Sequence, residues 1–271
     1  MKKFILEGFT EEGSPDSKYY AFDWDDNLMY MPTKIIVKNN KGDEVGISTE
    51  DFSHFRHLIG KENFDYGGET IVGYAENPFR YFREEGDDRF IIDSMIAKRG
   101  PVWSDFVEAI NGGSIFSIIT ARGHNPEVLK KSVKNLILSS SDGIQKKELI
   151  RNLKKYRDIG ESSDMTDEEM IDEYLDLCKF YPVTFGQGSA ANPEELKVMA
   201  LEEFQSYVKE LSSYINKKAF LKNDVRNLFL PSIGFSDDDP KNIERIKKHF
   251  EDKPDSIIKT YSTTGGIKKK Y

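Results

Sequence analysis

The stretch that most restricts this chain is Tyr19-Tyr20-Ala21-Phe22-Asp23-Trp24-Asp25-Asp26-Asn27-Leu28, a short apolar and aromatic run that ends in three carboxylates. Such a run suits a buried strand. Carboxylates packed this closely repel one another unless a cation or a shared proton relieves them. The functional reading is therefore a cation-assisted site at a strand end. The plainer reading is an acidic strand end dissolving into a turn. A calcium loop of the EF-hand type does not fit, because Leu28 and Lys34 stand where that loop needs its glycine and its closing glutamate.

The rest of the chain reads as strands alternating with helices. A lead-in over residues 1–18 carries a turn at Gly13-Ser14-Pro15-Asp16, and the first strand covers 19–25. Lys34–Lys38 and Glu44–Ser48 flank the turn Asn39-Asn40-Lys41-Gly42 as a hairpin. Trp103, Phe106, Val107 and Ile110 form a helical stripe that faces a core. Ser114–Thr120 is a continuously apolar second core strand. Asn125 caps a helix that has Pro126 at its first position. Residues 141–180 are helical in character, with a capping box at Thr166–Glu169. A strand at Tyr181–Gly186 follows, then a long helix from Asn192-Pro193 to about residue 217. A fourth strand covers Leu228–Ser236, a helix capped by Asp239 runs to Phe250, a last strand covers Ser256–Tyr261, and the tail from Gly265 reads as loose.

This alternation predicts an α/β fold, a Rossmann-like parallel sheet with helices on both faces. Sites in such sheets lie beyond the carboxyl ends of the strands, where strand order reverses. The polar residues collect at those ends: Asp23 and Asp25 after the first strand, Thr120 and Arg122 after the second, Asp237 and Asp238 after the fourth.

This ordered set resembles the haloacid dehalogenase (HAD) superfamily, most of whose members are phosphatases. Its first motif, Asp-x-Asp-Gly-Thr-Leu, reads here Asp23-Trp24-Asp25-Asp26-Asn27-Leu28; its second, a Thr or Ser ending an apolar strand, reads Ile118-Ile119-Thr120-Ala121-Arg122-Gly123. Its helical lysine matches Lys197, and its terminal acidic pair matches Asp237-Asp238. The motifs frame residues 19 to about 245. Asp26 and Asn27 depart from the family's Gly-Thr. Aspartate tolerates unusual backbone angles better than most residues.

The resemblance implies a magnesium-dependent phosphoric monoester hydrolase. Asp23 would be the nucleophile and form an aspartyl-phosphate, and Asp25 would protonate the leaving oxygen and later activate water. Asp23, the carbonyl of Asp25, and Asp237 would hold Mg2+, with Asp238 orienting a water or Lys197 behind them. Thr120 and Lys197 would bind the phosphate. Arg122 either clamps an anionic substrate or pairs with an acid.

The resemblance also divides the chain into a HAD-like core, residues 1–28 and 113–271 with a helical insertion at 141–180, and a cap or flap at 29–112. The aromatics of 29–112 either stack on a ligand or build a small core of their own. His54 and His57, spaced i, i+3, lack partners at zinc spacing and read as packing or surface residues.

Composition narrows the partners. A net charge of −8 disfavours nucleic acid and anionic membranes and favours a small phosphorylated metabolite or nucleotide. The single cysteine, Cys178, reads as a buried hydrophobe and excludes an intramolecular disulfide, which fits a reducing, cytoplasmic setting. No segment approaches the ~20 apolar residues of a membrane span. The competing functions are a nucleic-acid-end phosphatase and a catalytically silent HAD-like binding or scaffold protein.

Overall fold

The computed structural model describes residues 16–157, 159, 164–187, 192–221 and 230–271. The expected lead-in and its turn lie outside the described residues as far as residue 15. In chain order the strands are β1 (Asp16–Phe22), β2 (Met29–Tyr30), β3 (Ile35–Asn39), β4 (Glu44–Ile47), β5 (Phe64–Tyr66), β6 (Glu69–Tyr74), β7 (Lys98–Arg99), β8 (Phe116–Thr120), β9 (Lys179–Pro182), β10 (Leu230–Asp237), β11 (Ile258–Ser262) and β12 (Lys269–Lys270). The helices are α1 (Thr49–Phe55), α2 (Asp87–Ile96), α3 (Trp103–Asn111), α4 (Pro126–Leu138), α5 (Lys146–Arg157), α6 (Asp167–Leu177), α7 (Pro193–Leu221) and α8 (Pro240–Glu251).

The central sheet runs β12-β11-β10-β1-β8-β9, and every neighbouring pair is parallel except β11 and β12. Helices flank it. Starting from β1 the chain builds outward through β8 and β9. It then crosses back to place β10 and β11 on the other side of β1. Strand order thus reverses at β1, and the crevice such a reversal creates opens beyond the carboxyl ends of β1 and β10.

The apolar runs form these strands because the sheet interior can bury them. All five residues of β8 are buried, as its unbroken apolar pattern requires. Phe22, Phe106 and Phe116 meet edge to face across β1, α3 and β8, with centroids 5.6 and 5.4 Å apart. Asn125 caps α4, Asp239 caps α8, and Thr166 with Glu169 forms the capping box of α6. Cys178 is buried.

Several boundaries depart from expectation, among them the start of β1 at Asp16, inside the expected lead-in, and of β8 at Phe116. β1 stops at Phe22, since Asp23 onward turns away to form the loop. β9 starts at Lys179 and ends at Pro182, which has no N–H with which to extend the ladder. The tail is not loose: Lys269 and Lys270 pair with Ser262 and Tyr261.

A second, smaller sheet, β4-β3-β6-β5, carries its own core of Ile35, Val37, Ile47, Ile59 and Ile71. Its hairpin closes as expected. Gly42 takes φ 90°, and the Asn39 side chain accepts the backbone N–H groups of Lys41 and Asp43 at 3.0 and 2.8 Å. Of the segment 29–112, only the part from Ile35 to about Phe82 forms this separate body. Met29, Phe90, Trp103, Phe106 and Ile110 belong to the main core. Among the described residues no helix is long and apolar enough to cross a membrane.

Candidate functional site

The β1–α2 connection begins with a tight loop whose shape explains the two departures from the Gly-Thr pattern. Asp26 takes φ 54°, the left-handed conformation a glycine would adopt most easily, and its N–H bonds Met29 O at 2.8 Å. Asn27 is fully buried and acts as a clamp. Its amide donates to Asp23 O at 2.9 Å and to Ser236 O and Oγ at 3.1 Å, and its Oδ1 accepts the Thr263 hydroxyl at 2.9 Å. One side chain thereby ties the ends of β1, β10 and β11 together. Gly100 closes the loop from outside, where a Cβ would lie 2.2 Å from Asn27 O.

This clamp holds the strand ends so that Asp23, Asp237 and Asp238 converge, each with one oxygen within 4.8 Å of the others. Lys197, brought in by α7 and only 1% exposed, stands between the first two, 2.9 Å from Asp23 Oδ1 and 2.7 Å from Asp237 Oδ2. Asp237 has no solvent exposure. It also accepts both Asn242 contacts at 3.0 Å and the Asp239 N–H at 2.9 Å. Asp238 lines the cavity, and its carboxylate accepts no hydrogen bond from any described residue.

Charge is unevenly matched here. Five carboxylates, Asp23, Asp25, Asp26, Asp237 and Asp238, share two cations, Lys197 and Arg122. Burial raises Asp23 well above the usual carboxylate range; Lys197 opposes the shift, and Asp237 and Asp25 add to it. Burial, then Asp237, Asp23 and Asp26, push Asp238 up to about 9. Burial lifts Asp26 to about 6 against a hydrogen bond from Thr49. Burial works against the charge on Lys197, but Asp23 and Asp237 outweigh it and hold its pKa above the ordinary lysine value. Raised carboxyl groups around hard oxygen donors are what a divalent cation relieves, so the donor set of Asp23, Asp237 and Asp238 could hold a metal ion.

Arg122 sits beside this cluster and is 1% exposed. It grips Asp25 with two parallel bonds, Nε to Oδ2 at 2.8 Å and Nη2 to Oδ1 at 2.7 Å. Thr33 accepts from Nη2 at 3.1 Å, and the rings of Phe82 and Phe90 lie 4.5 and 5.0 Å from the guanidinium carbon. His124 Nε2 faces Nη1 at 3.2 Å. An arginine only donates, so Nε2 must accept, and the ring proton sits on Nδ1, directed to Asp87 Oδ1 at 2.8 Å. Burial and the Arg122 charge lower the His124 pKa to about 3, consistent with this neutral tautomer.

Thr120 is buried at the end of β8 and lines the same space. The cavity holds about 940 Å³ between the two sheets. The central sheet with its loops contributes Asp23, Asp25, Thr120 and Asp238, and α7 contributes Lys197; the smaller sheet body contributes Phe52, Arg56, Tyr74, Phe79 and Phe82. The chain therefore gathers every residue expected at the site. Arg122 takes the second of its two expected roles, pairing with Asp25. His54 and His57 are exposed and belong to no cluster of possible metal ligands among the described residues.

Sequence reading missed the Asn27 clamp, the Asn242 support and the Asp87–His124–Arg122 chain. Asn242 falls five residues after Asp237, one turn into a helix that Asp239 caps. That spacing was the available signal. Nothing in sequence joins Asp87 to His124. Comparison with family models, with curated proteins and with solved structures gives no match.

Proposed function

We propose that this chain is a magnesium-dependent phosphohydrolase of the HAD type, with Asp23 as nucleophile. The observation that carries the reading is the meeting of Asp23, Asp237, Asp238 and Lys197 at one end of a cavity, from three separate chain segments. Asp23, Asp237 and Asp238 would hold the metal. Asp238, expected only in a supporting place, is the best-placed ligand, since its carboxylate has no other bond to give up. When bound, the ion would neutralise charge on the phosphate and on the carboxylates around it.

The residues of the chain supply the rest. Lys197 holds Asp23 Oδ1, and Oδ2, which accepts no hydrogen bond from a described residue, attacks phosphorus. Its ammonium and the Thr120 hydroxyl bind the phosphate oxygens. The P–O bond to the leaving group breaks as the Asp23 O–P bond forms, and the departing oxygen takes a proton. Water then attacks the aspartyl-phosphate, releasing inorganic phosphate and restoring Asp23. Asp25 is the relay for these protons: Arg122 fixes both its oxygens, and each keeps a second lone pair. The lone buried cysteine and the lack of a spanning helix among the described residues favour a reducing, cytoplasmic setting.

A second reading, binding without turnover, rests on that same Arg122 grip, which restrains the group meant to move protons. A panel of phosphate monoesters, assayed with Mg2+ and with EDTA, separates the two. Turnover should need Mg2+, and Asp23→Asn should lower it by at least about a thousandfold, the size of losing a nucleophile. Unchanged turnover in Asp23→Asn removes Asp23 from the role. Absence of turnover across the panel, with phosphate still bound, favours the silent protein.

A further inference from the structure

The cavity is far larger than a phosphate, and its far wall has a definite chemistry. Phe52, Tyr74 and Phe79 form one continuous ring surface. Phe52 and Phe79 meet edge to face at 5.5 Å, and Tyr74 lies 6.5 and 6.3 Å from them. All three line the cavity. Phe82 of the same body lines it too, whereas Phe55, Phe64 and Tyr66 pack on one another, at 4.8 and 6.2 Å, and do not. Phe52 and Phe79 thus serve both the small core and the cavity wall. Tyr74 is 41% exposed.

Resting on the phosphohydrolase reading, we propose that the ester taken here is a nucleoside phosphate, free or at the end of a strand, with its base against the wall of Phe52, Tyr74 and Phe79. A planar base covers such a wall at little cost, because every base has an apolar face for stacking. A sugar phosphate would instead set hydroxyl groups against a wall in which Phe52 and Phe79 offer no polar atom to bond them. Asn77 and Ser53, also in the wall, supply an amide and a hydroxyl for a base edge. At about 940 Å³ the cavity is of the size that encloses a ligand of this class.

The test uses the full chain carrying Asp23→Asn, with Mg2+, titrated calorimetrically with AMP, ribose 5-phosphate, inorganic phosphate and a 5′-phosphorylated trinucleotide. AMP should bind about tenfold or more tighter than ribose 5-phosphate, in line with one stacked base. Adding Tyr74→Ala should weaken AMP by about fivefold or more and leave ribose 5-phosphate within about twofold. A trinucleotide that binds tighter than AMP assigns the strand end as the source; one that binds more weakly assigns the free nucleotide. Equal binding of AMP and ribose 5-phosphate overturns the proposal while leaving the phosphohydrolase intact. So does an AMP affinity that Tyr74→Ala does not change. If not even inorganic phosphate binds, the phosphohydrolase reading fails first and takes this one with it.

Discussion

The two walls of the cavity are built on opposite plans. On the central-sheet side, Lys197, Asp237 and Arg122 are almost wholly buried and their charged atoms are partnered several times over. On the smaller-sheet side the lining is half-exposed rings and Arg56, whose ion pair with Asp239 is long at 3.4 Å. The first wall holds atoms where displacement would be costly, which suits groups that must keep fixed distances. The second touches the first through Phe82, which lies over Arg122, and Arg56, which pairs with Asp239; its exposed ring Tyr74 takes no part in those contacts. The difference teaches where this molecule stores its stability and where it can afford variation.

The comparison breaks most sharply at Lys197. Lys197→Met leaves Asp23 and Asp237 buried without their shared cation, so unfolding at pH 7 should lose about 3–5 kcal/mol by chemical denaturation. A loss below about 1 kcal/mol would show that water or the neighbouring carboxyls already relieve those charges. Asn27→Ala comes next. It strips partners from the Thr263 hydroxyl and from carbonyls at the ends of β1 and β10, and should cost about 2–3 kcal/mol in the same measurement.

These two residues also show what the sequence could reveal. The alternating strands and helices, the caps at Asn125, Thr166 and Asp239, and the hairpin at Asn39–Gly42 were legible because each depends on local chemistry. The acidic loop was legible because closely spaced carboxylates are conspicuous. Lys197 was the least distinctive of the four motifs in sequence, yet it is only 1% exposed in the structure; only the packing of α7 against β8 and β10 gives it meaning. Asn27 read as a polar loop residue, and its role depends on Ser236 and Thr263, more than two hundred residues away. The same limit applies to the small sheet: its aromatics were visible, but which of them reach the cavity depends on how α1, β6 and the segment around Phe79 come together.

The Arg122 side of the first wall can be tested by pH. His124 is buried and neutral, with its pKa lowered to about 3 from an ordinary value near 6.5. Between those values the unfolded chain binds a proton that the folded chain refuses, so stability falls as pH falls through that window and is fully present above it. Going from pH 7 to 4.5 should cost about 2 kcal/mol through this residue alone. His124→Gln should flatten that part of the pH profile in denaturation measured at both values. An unchanged slope would assign the acid sensitivity to the carboxylates instead.

The smallest effect belongs to the other wall. Tyr74 is 41% exposed, donates no hydrogen bond to a described residue, and touches Phe52 and Phe79 only at ring distances beyond 6 Å. Replacing it with alanine creates no enclosed void and strands no polar group, the two routes to a large loss. Tyr74→Ala should therefore shift stability by no more than about 0.5 kcal/mol by denaturation. A loss several times larger would mean that the ring supports the small sheet itself. The ring wall would then be a structural element facing the cavity by accident of packing, and the contrast between a rigid wall and a variable one would no longer hold.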